Sequence, residues 1–158
     1  MLLLNTQHLR SATHDLCAPF QLAVALPSGP ETLSIVAILR LLPGKRLTAQ
    51  ALWRGQTVLV KIFFAQRGRQ RHLQREVAGL QALAQAKLPA PRVLDVGSSQ
   101  DRQADVLLLE FLPQAETLAD AWQRENGKPS RSIFTFMRWL RAMISGPLTL
   151  PSSGVSGC

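Results

Sequence analysis

The chain has 158 residues, 46% of them hydrophobic and 18% charged, which suits one domain with a core and excludes a disordered chain. Its 18 lysines and arginines against 10 acids give a formal charge of +8, which favours anionic partners such as nucleotides, anionic lipid or nucleic acid. Cys17 and Cys158 form neither a metal spacing nor a disulfide framework, so a reducing compartment is the default, and no stretch reaches the roughly 18 apolar residues of a membrane span.

Residues 1–19 carry little pattern beyond Leu2-Leu3-Leu4 and read as a loosely attached leader. The run from Leu16 to Leu26 faintly resembles the apolar part of a signal peptide, but Arg10 is the single basic residue before it and His14-Asp15 interrupts the approach. A strand is the better reading. Phe20 to Leu26 and Leu33 to Leu42 are apolar runs separated by Pro27-Ser28-Gly29-Pro30, a turn by composition. Residues 1–32 are therefore a leader with one possible extra strand.

After Pro43-Gly44-Lys45-Arg46, the segment Leu47 to Trp53 alternates as a half-buried strand through Leu47, Ala49, Ala51 and Trp53, and Arg54-Gly55 makes the next turn. The strand Thr57 to Phe64 follows. Its side chains alternate, so Lys61 shares a face with Leu59 and Phe63, while Val58, Val60 and Ile62 take the other. Both faces are apolar, and an unpaired ammonium there costs several kcal/mol. An anion is needed.

Leu73, Val77, Leu80, Ala84 and Leu88 then recur at helical spacing over residues 71–88. At about 100° per residue, Glu76 falls roughly 60° from Leu73, at the edge of the buried stripe. It is the expected partner of Lys61. As single residues, each has a plainer explanation: lysines occur in edge strands with their heads in water, and glutamates flank helix stripes as solvated side chains. The pairing in this order is what carries information. Pro89-Ala90-Pro91 ends the helix, Arg92 to Val96 reads as a strand, Gly97 to Ala104 as a polar connection, and Val106 to Leu112 as a buried strand.

A strand lysine facing an inward helix glutamate resembles the ion pair with which protein kinases hold the α- and β-phosphates of ATP. From about Ile38 to Trp122 the chain also resembles the bacterial lipopolysaccharide kinases, a kinase-fold family acting on Kdo or heptose sugars. That likeness rests on Leu41-Leu42-Pro43-Gly44-Lys45-Arg46, Trp53-Arg54-Gly55, Val60-Lys61, Arg75-Glu76 with Gly79-Leu80, Pro91-Arg92-Val93-Leu94 and Leu109-Glu110-Phe111. It implies an α+β fold: a kinase-like small lobe over residues 33–122, with an antiparallel sheet of about five strands, one packed helix and a hinge. By the same resemblance, Lys61 and Glu76 are the catalytic pair, and Gly44, Lys45, Leu47, Leu59, Lys61, Glu110, Phe111 and Leu112 contact ATP. The resemblance also points Glu116 and Asp120 toward a ribose, although as helix-surface acids they need no ligand.

Two positions depart from the kinase pattern. Gly44 is all that remains of a glycine-rich phosphate loop, and Leu59 stands where alanine is usual, narrowing the purine slot. Neither His-x-Asp nor Asp-Phe-Gly occurs, so the aspartates that accept the hydroxyl proton and hold Mg²⁺ are missing. Residues 123–158 read as a truncated or aberrant tail, with a linker at 128–132, a short amphipathic helix at 133–144, and a serine- and glycine-rich end.

The expectation is thus an ATP-binding lobe of a lipopolysaccharide core sugar kinase or serine/threonine kinase-like enzyme. By itself it should be inactive; its setting would be cytoplasmic, at the inner membrane, with inner-core lipopolysaccharide sugar or an anionic membrane surface as further partner. The alternative is a non-catalytic remnant or a small basic module for anionic lipid or nucleic acid. Arg67, Arg69, Arg71 and Arg75 supply the charge for the latter, but 6% aromatic residues and no tyrosine argue against stacking on single-stranded nucleic acid.

Overall fold

The computed structural model of the chain describes residues 1–13 and 16–113; the expectations for Glu116, Asp120 and residues 123–158 lie outside them. In chain order the elements are β1 (Leu2–Leu4), α1 (Thr6–Ser11), β2 (Phe20–Leu26), β3 (Gly29–Leu42), β4 (Arg46–Trp53), β5 (Gln56–Phe63), α2 (Arg69–Gln85), β6 (Val93–Ser99) and β7 (Asp105–Glu110). Three hairpins come from local turn chemistry. Gly29 and Gly44 take positive φ beside Pro27-Ser28 and Pro43, and Arg54 (φ 51) with Gly55 (φ 77) forms the two-residue turn whose twist suits adjacent strands. Arg54 is held in that uncommon conformation by Glu31 and Ser28, and its guanidinium lies 4.6 Å over the Trp53 ring. Trp53 donates to Glu31 at 2.6 Å, so the carboxylate ties two turns together. The bond from Arg54 holds Glu31 below the usual carboxylate range against a weaker upward push from burial, with Ser28 and Trp53 adding to the lowering.

The sheet is not the expected kinase-like small lobe of about five antiparallel strands with one packed helix. The sheet has the order β1-β2-β3-β4-β5-β7-β6, and β2 also pairs with β6, so six antiparallel strands close into a barrel and β1 adds in parallel to β2. The architecture is mostly sheet. Closure has two physical causes. First, β3 runs for 14 residues and breaks register between Ile35 and Ala37 and again between Ile38 and Arg40. Each such bulge sharpens the local twist and bend. Ile35, Ile38 and Leu41 therefore all turn toward the interior although they are three residues apart. Second, Gly97 lets β6 come against β2: a Cβ there would lie 2.4 Å from the Ala25 carbonyl oxygen and 2.7 Å from Leu26 Cδ2. Gly97 is thus part of a strand and not of the polar connection expected at 97–104.

The interior is filled by Leu22, Val24, Leu33, Ile35, Leu47, Ala49, Ala51, Val58, Val60, Ile62, Val106 and Leu108, all buried. Burying each large side chain contributes about 1.5–3 kcal/mol. Residues 1–19, expected to be loosely attached, instead supply Leu4, Leu9 and Thr6 to buried positions. Asn5 caps α1 by accepting from the His8 N–H at 3.0 Å. The helix is then clasped to the β6–β7 connection: the Asp101 carboxylate accepts from Thr6 Oγ1 at 2.9 Å, from the Gln103 N–H at 3.0 Å and from Ser99 Oγ at 2.5 Å. Arg10 donates to the Phe64 and Gln103 carbonyls at 2.8 and 2.9 Å. Burial pushes Asp101 upward, but the bonds from Ser99, Gln103 and Thr6 together outweigh it and hold the carboxyl below its ordinary range. Among the described residues no helix is long and apolar enough to cross a membrane.

Gly97→Ala should lower stability by about 1–3 kcal/mol in chemical denaturation, because the nearest atom the added carbon meets is the Ala25 backbone carbonyl, which cannot swing aside as a side-chain end can. Gly79→Ala, on α2 with nothing within 4 Å of the new carbon, should instead raise it by about 0.5–1 kcal/mol. The depressed Asp101 carboxyl contributes stability above its unfolded-state value that is lost as pH falls through its folded value. Wild type should therefore exceed Asp101→Asn at pH 7, and the gap should shrink on acidification through the carboxylate range.

Candidate functional site

The outer wall of the barrel carries the residues of interest. β5 places Val58, Val60 and Ile62 inside, and turns Leu59, Lys61 and Phe63 outward. α2 lies on that outer face. Gly68, in the left-handed region at φ 75, sets the start of the helix two residues before the expected one, and Leu73, Val77 and Leu80 pack over Phe63, Leu107 and Leu109. Glu76 sits at the margin of this contact, as its angular position implies. Lys61 Nζ donates to Glu76 Oε1, the two side chains being 22% and 25% exposed. The expected pair is formed.

A second ion pair fixes the start of α2. Arg69 Nε faces Asp105 Oδ2 at 3.3 Å without the alignment of a hydrogen bond, while its other nitrogens donate to the carbonyls of Gln103 at 3.0 Å and Arg102 at 2.9 Å. Burial pushes Asp105 above the usual carboxylate range, and Arg69 opposes that push only in part. Arg69 is thereby removed from the basic cluster expected at 67–75. Arg67, Arg71 and Arg75 remain exposed.

The other expected site residues are not all brought to this face. Leu59 is half-buried beside Lys61 on the outer wall. Leu47 is fully buried inside the barrel, packed with Ala49 and Ala51, on the opposite side of the sheet from Lys61. Gly44 and Lys45 form the exposed β3–β4 turn, where the Lys45 carbonyl accepts from Phe64 and Ala65 N–H groups at 2.9 and 3.1 Å. Glu110 ends β7 opposite Val58, three positions from the residue opposite Lys61, which is about 10 Å along the sheet. It pairs with Arg92 at 3.5 Å. Phe111 is half-buried and Leu112 exposed just beyond it.

The register brings in two residues that sequence reasoning passed over. Thr48 on β4 lies directly opposite Lys61, and Arg40 on β3 lies directly opposite Thr48. The alternation of β4 already placed Thr48 on its polar face; what it lacked was the pairing partner. Arg40 turns outward because of the bulge at Leu39, which puts two successive residues on the outer side. Neither Arg40 nor Thr48 makes a side-chain hydrogen bond or ion pair among the described residues.

Two clefts flank α1, one lined by residues such as Leu4, Thr6, Ser99 and Asp101 and the other by Arg10, Gln66 and Gln103; neither is lined by Lys61 or Glu76. Among the described residues no group of three or more His, Cys, Asp or Glu is placed to hold a metal ion. No family model matches the chain, and no curated protein matches it.

A double-mutant cycle on Lys61→Met and Glu76→Gln should give a coupling on the order of 1 kcal/mol in denaturant unfolding, since both heads are mostly but not fully removed from water. Glu76→Gln alone should destabilise more than the double variant does relative to Lys61→Met.

Proposed function

We propose that the chain binds the phosphates of ATP through the Lys61 ammonium, held in position by Glu76. The observation that carries this reading is the pair itself: a cation on the outer face of β5 meeting an acid on the helix laid against it. A purely structural cation on this wall would be replaced at little loss by an apolar residue continuing the Leu59 and Phe63 row, whereas a mostly buried ion pair is a poor source of net stability. Keeping the charge is better explained by an anion that Lys61 meets on its exposed side.

The donor set fits phosphate. Lys61 retains an exposed part, Thr48 offers a hydroxyl next to it, and Arg40 adds a second cation. It fits a purine less fully, because Leu47 is inside the barrel and cannot touch a ligand on the outer wall. Of the expected contacts for the base, Leu59, Phe111 and Leu112 remain, whereas Glu110 lies opposite the inward-facing Val58 and pairs with Arg92. The likeness of residues 38–122 to the lipopolysaccharide kinases is what favours ATP among phosphate ligands, and with it a cytoplasmic setting at the inner membrane. The reading is one of binding: the sequence contains no His-x-Asp or Asp-Phe-Gly to accept a hydroxyl proton or hold Mg²⁺.

A second reading, a basic module on an anionic membrane surface, is favoured by one observation. Arg67, Arg71 and Arg75 are exposed near or on α2, and none forms an ion pair among the described residues. Such binding would fall steeply with salt and be indifferent to Lys61.

Mg-ATP should raise the thermal unfolding midpoint of the wild-type chain and leave that of Lys61→Met unchanged, with Glu76→Gln intermediate. A wild-type midpoint that does not move at millimolar Mg-ATP would sink the nucleotide reading and leave the non-catalytic remnant. Sedimentation with phosphatidylserine vesicles, undiminished in Lys61→Met and lost at high salt, would support the membrane reading.

A further inference from the structure

We infer that the ligand of this wall is a di- or triphosphate chain lying across the strands, gripped by a row of three side chains, Arg40, Thr48 and Lys61; this rests on the phosphate reading of Lys61 above. The row is a consequence of register. Arg40 is opposite Thr48, and Thr48 is opposite Lys61, so three adjacent strands each present one hydrogen-bond donor on the same line and the same face. Directly opposed residues in antiparallel strands have Cβ atoms about 5 Å apart, and two strand spacings separate the ends of the row by about 10 Å.

The pattern is uncommon for a structural face. Two cations flank a neutral donor, with no acid among them. Glu76 lies at the Lys61 end only, so Arg40 has no internal counter-ion among the described residues. Arg40 also owes its outward position to a register break between Ile38 and it; without that bulge, the alternation from Ile38 would turn it inward. On the other side of Lys61, Leu107 lies under α2, so across the strands a phosphate chain runs from Lys61 toward β4 and β3. Charge complementarity and direction both select an anion with several phosphates in line. A single phosphate engages one end, whereas a polyphosphate engages Lys61, the Thr48 hydroxyl and the Arg40 guanidinium together. The guanidinium fork is suited to two oxygens of the terminal phosphate.

Calorimetric titration of the full chain with ATP, inorganic tripolyphosphate and AMP tests this. Wild type should prefer ATP and tripolyphosphate to AMP. Arg40→Gln should weaken ATP and tripolyphosphate by about tenfold, the worth of one charge-assisted contact, and leave AMP unchanged. Thr48→Val should weaken them less, and Arg40→Lys should recover part of the loss. Arg102→Gln, with the same charge removed from the exposed β6–β7 connection, should have no effect. Thermal unfolding of each variant in the absence of ligand checks that it is folded.

The outcomes separate the two readings. If Lys61→Met abolishes ATP binding while Arg40→Gln and Thr48→Val bind ATP as wild type does, the cross-strand row is overturned and the phosphate role of Lys61 stands. Equal losses in Arg40→Gln and Arg102→Gln, or equal losses for ATP and AMP, would reduce Arg40 to a contribution to net charge and also overturn the row. No binding of ATP or tripolyphosphate by wild type overturns both. Tripolyphosphate bound as tightly as ATP would make the phosphate chain itself, and not the nucleoside, the recognised part.

Discussion

The structure depends on β2 having a strand on each side. A strand between two others leaves no row of backbone donors and acceptors facing water, and β2 achieves this by pairing with β3 along its length and with β6 at Val24 and Ala25. That second pairing needs the two backbones closer than any side chain at residue 97 permits, which is the role of Gly97. Once the ring is shut, every strand in it has one face committed to a dry interior and one face outside. The small clasp at Asp101 belongs to the same seam, since it binds α1 to the connection that follows β6.

Closure decides what the outer wall is able to do. Among the described residues the middle of the interior is filled by apolar side chains such as Leu33, Ile35, Val60 and Leu108, and Lys61 stands on the other side of the sheet. α2 covers only part of that exterior, over Phe63, Leu107 and Leu109. Lys61 stands at the boundary between the covered and the open part. Its neighbours toward the helix are apolar and acidic, and its neighbours across β4 and β3 are a hydroxyl and a guanidinium. The acids of the described segment are largely engaged: Glu31 by Arg54, Asp105 by Arg69, Glu110 by Arg92, and Asp101 by neutral donors. Cations such as Arg40 therefore act on solvent and solutes without internal compensation.

What could be read from the sequence was what short-range periodicity determines. The two faces of β5, the apolar stripe of α2 and the turns at 27–30, 43–45 and 54–55 follow from spacings within a few residues, and the meeting of Lys61 with Glu76, 15 residues apart, follows from the first two taken together. What could not be read depends on pairing between distant segments. The bulges of β3 hid its alternation, since Ile35, Ile38 and Leu41 share a face at intervals of three. Gly97 looked like loop material because its partner, Ala25, lies far back in the chain. Leu47 shows a different kind of miss. Its own strand alternation placed it with Ala49 and Ala51, and that local signal was the correct one; the ligand contact came from the resemblance and not from the strand. Arg40 and Thr48 were invisible for the plain reason that register is not a property of either strand alone.

None of the residues of α2 is fully buried, whereas β5 and β7 lie within a ring that is complete without the helix. Lifting α2 uncovers Phe63, Leu107 and Leu109 on the outer wall together with the half-buried stripe of the helix, but opening β5 requires the ring itself to break. Backbone amides in the two elements should accordingly exchange with solvent through separate openings of very different free energy. Lys61 and Glu76 thus stand on parts of the molecule with different lifetimes, and the persistence of their contact is set by the shorter-lived of the two.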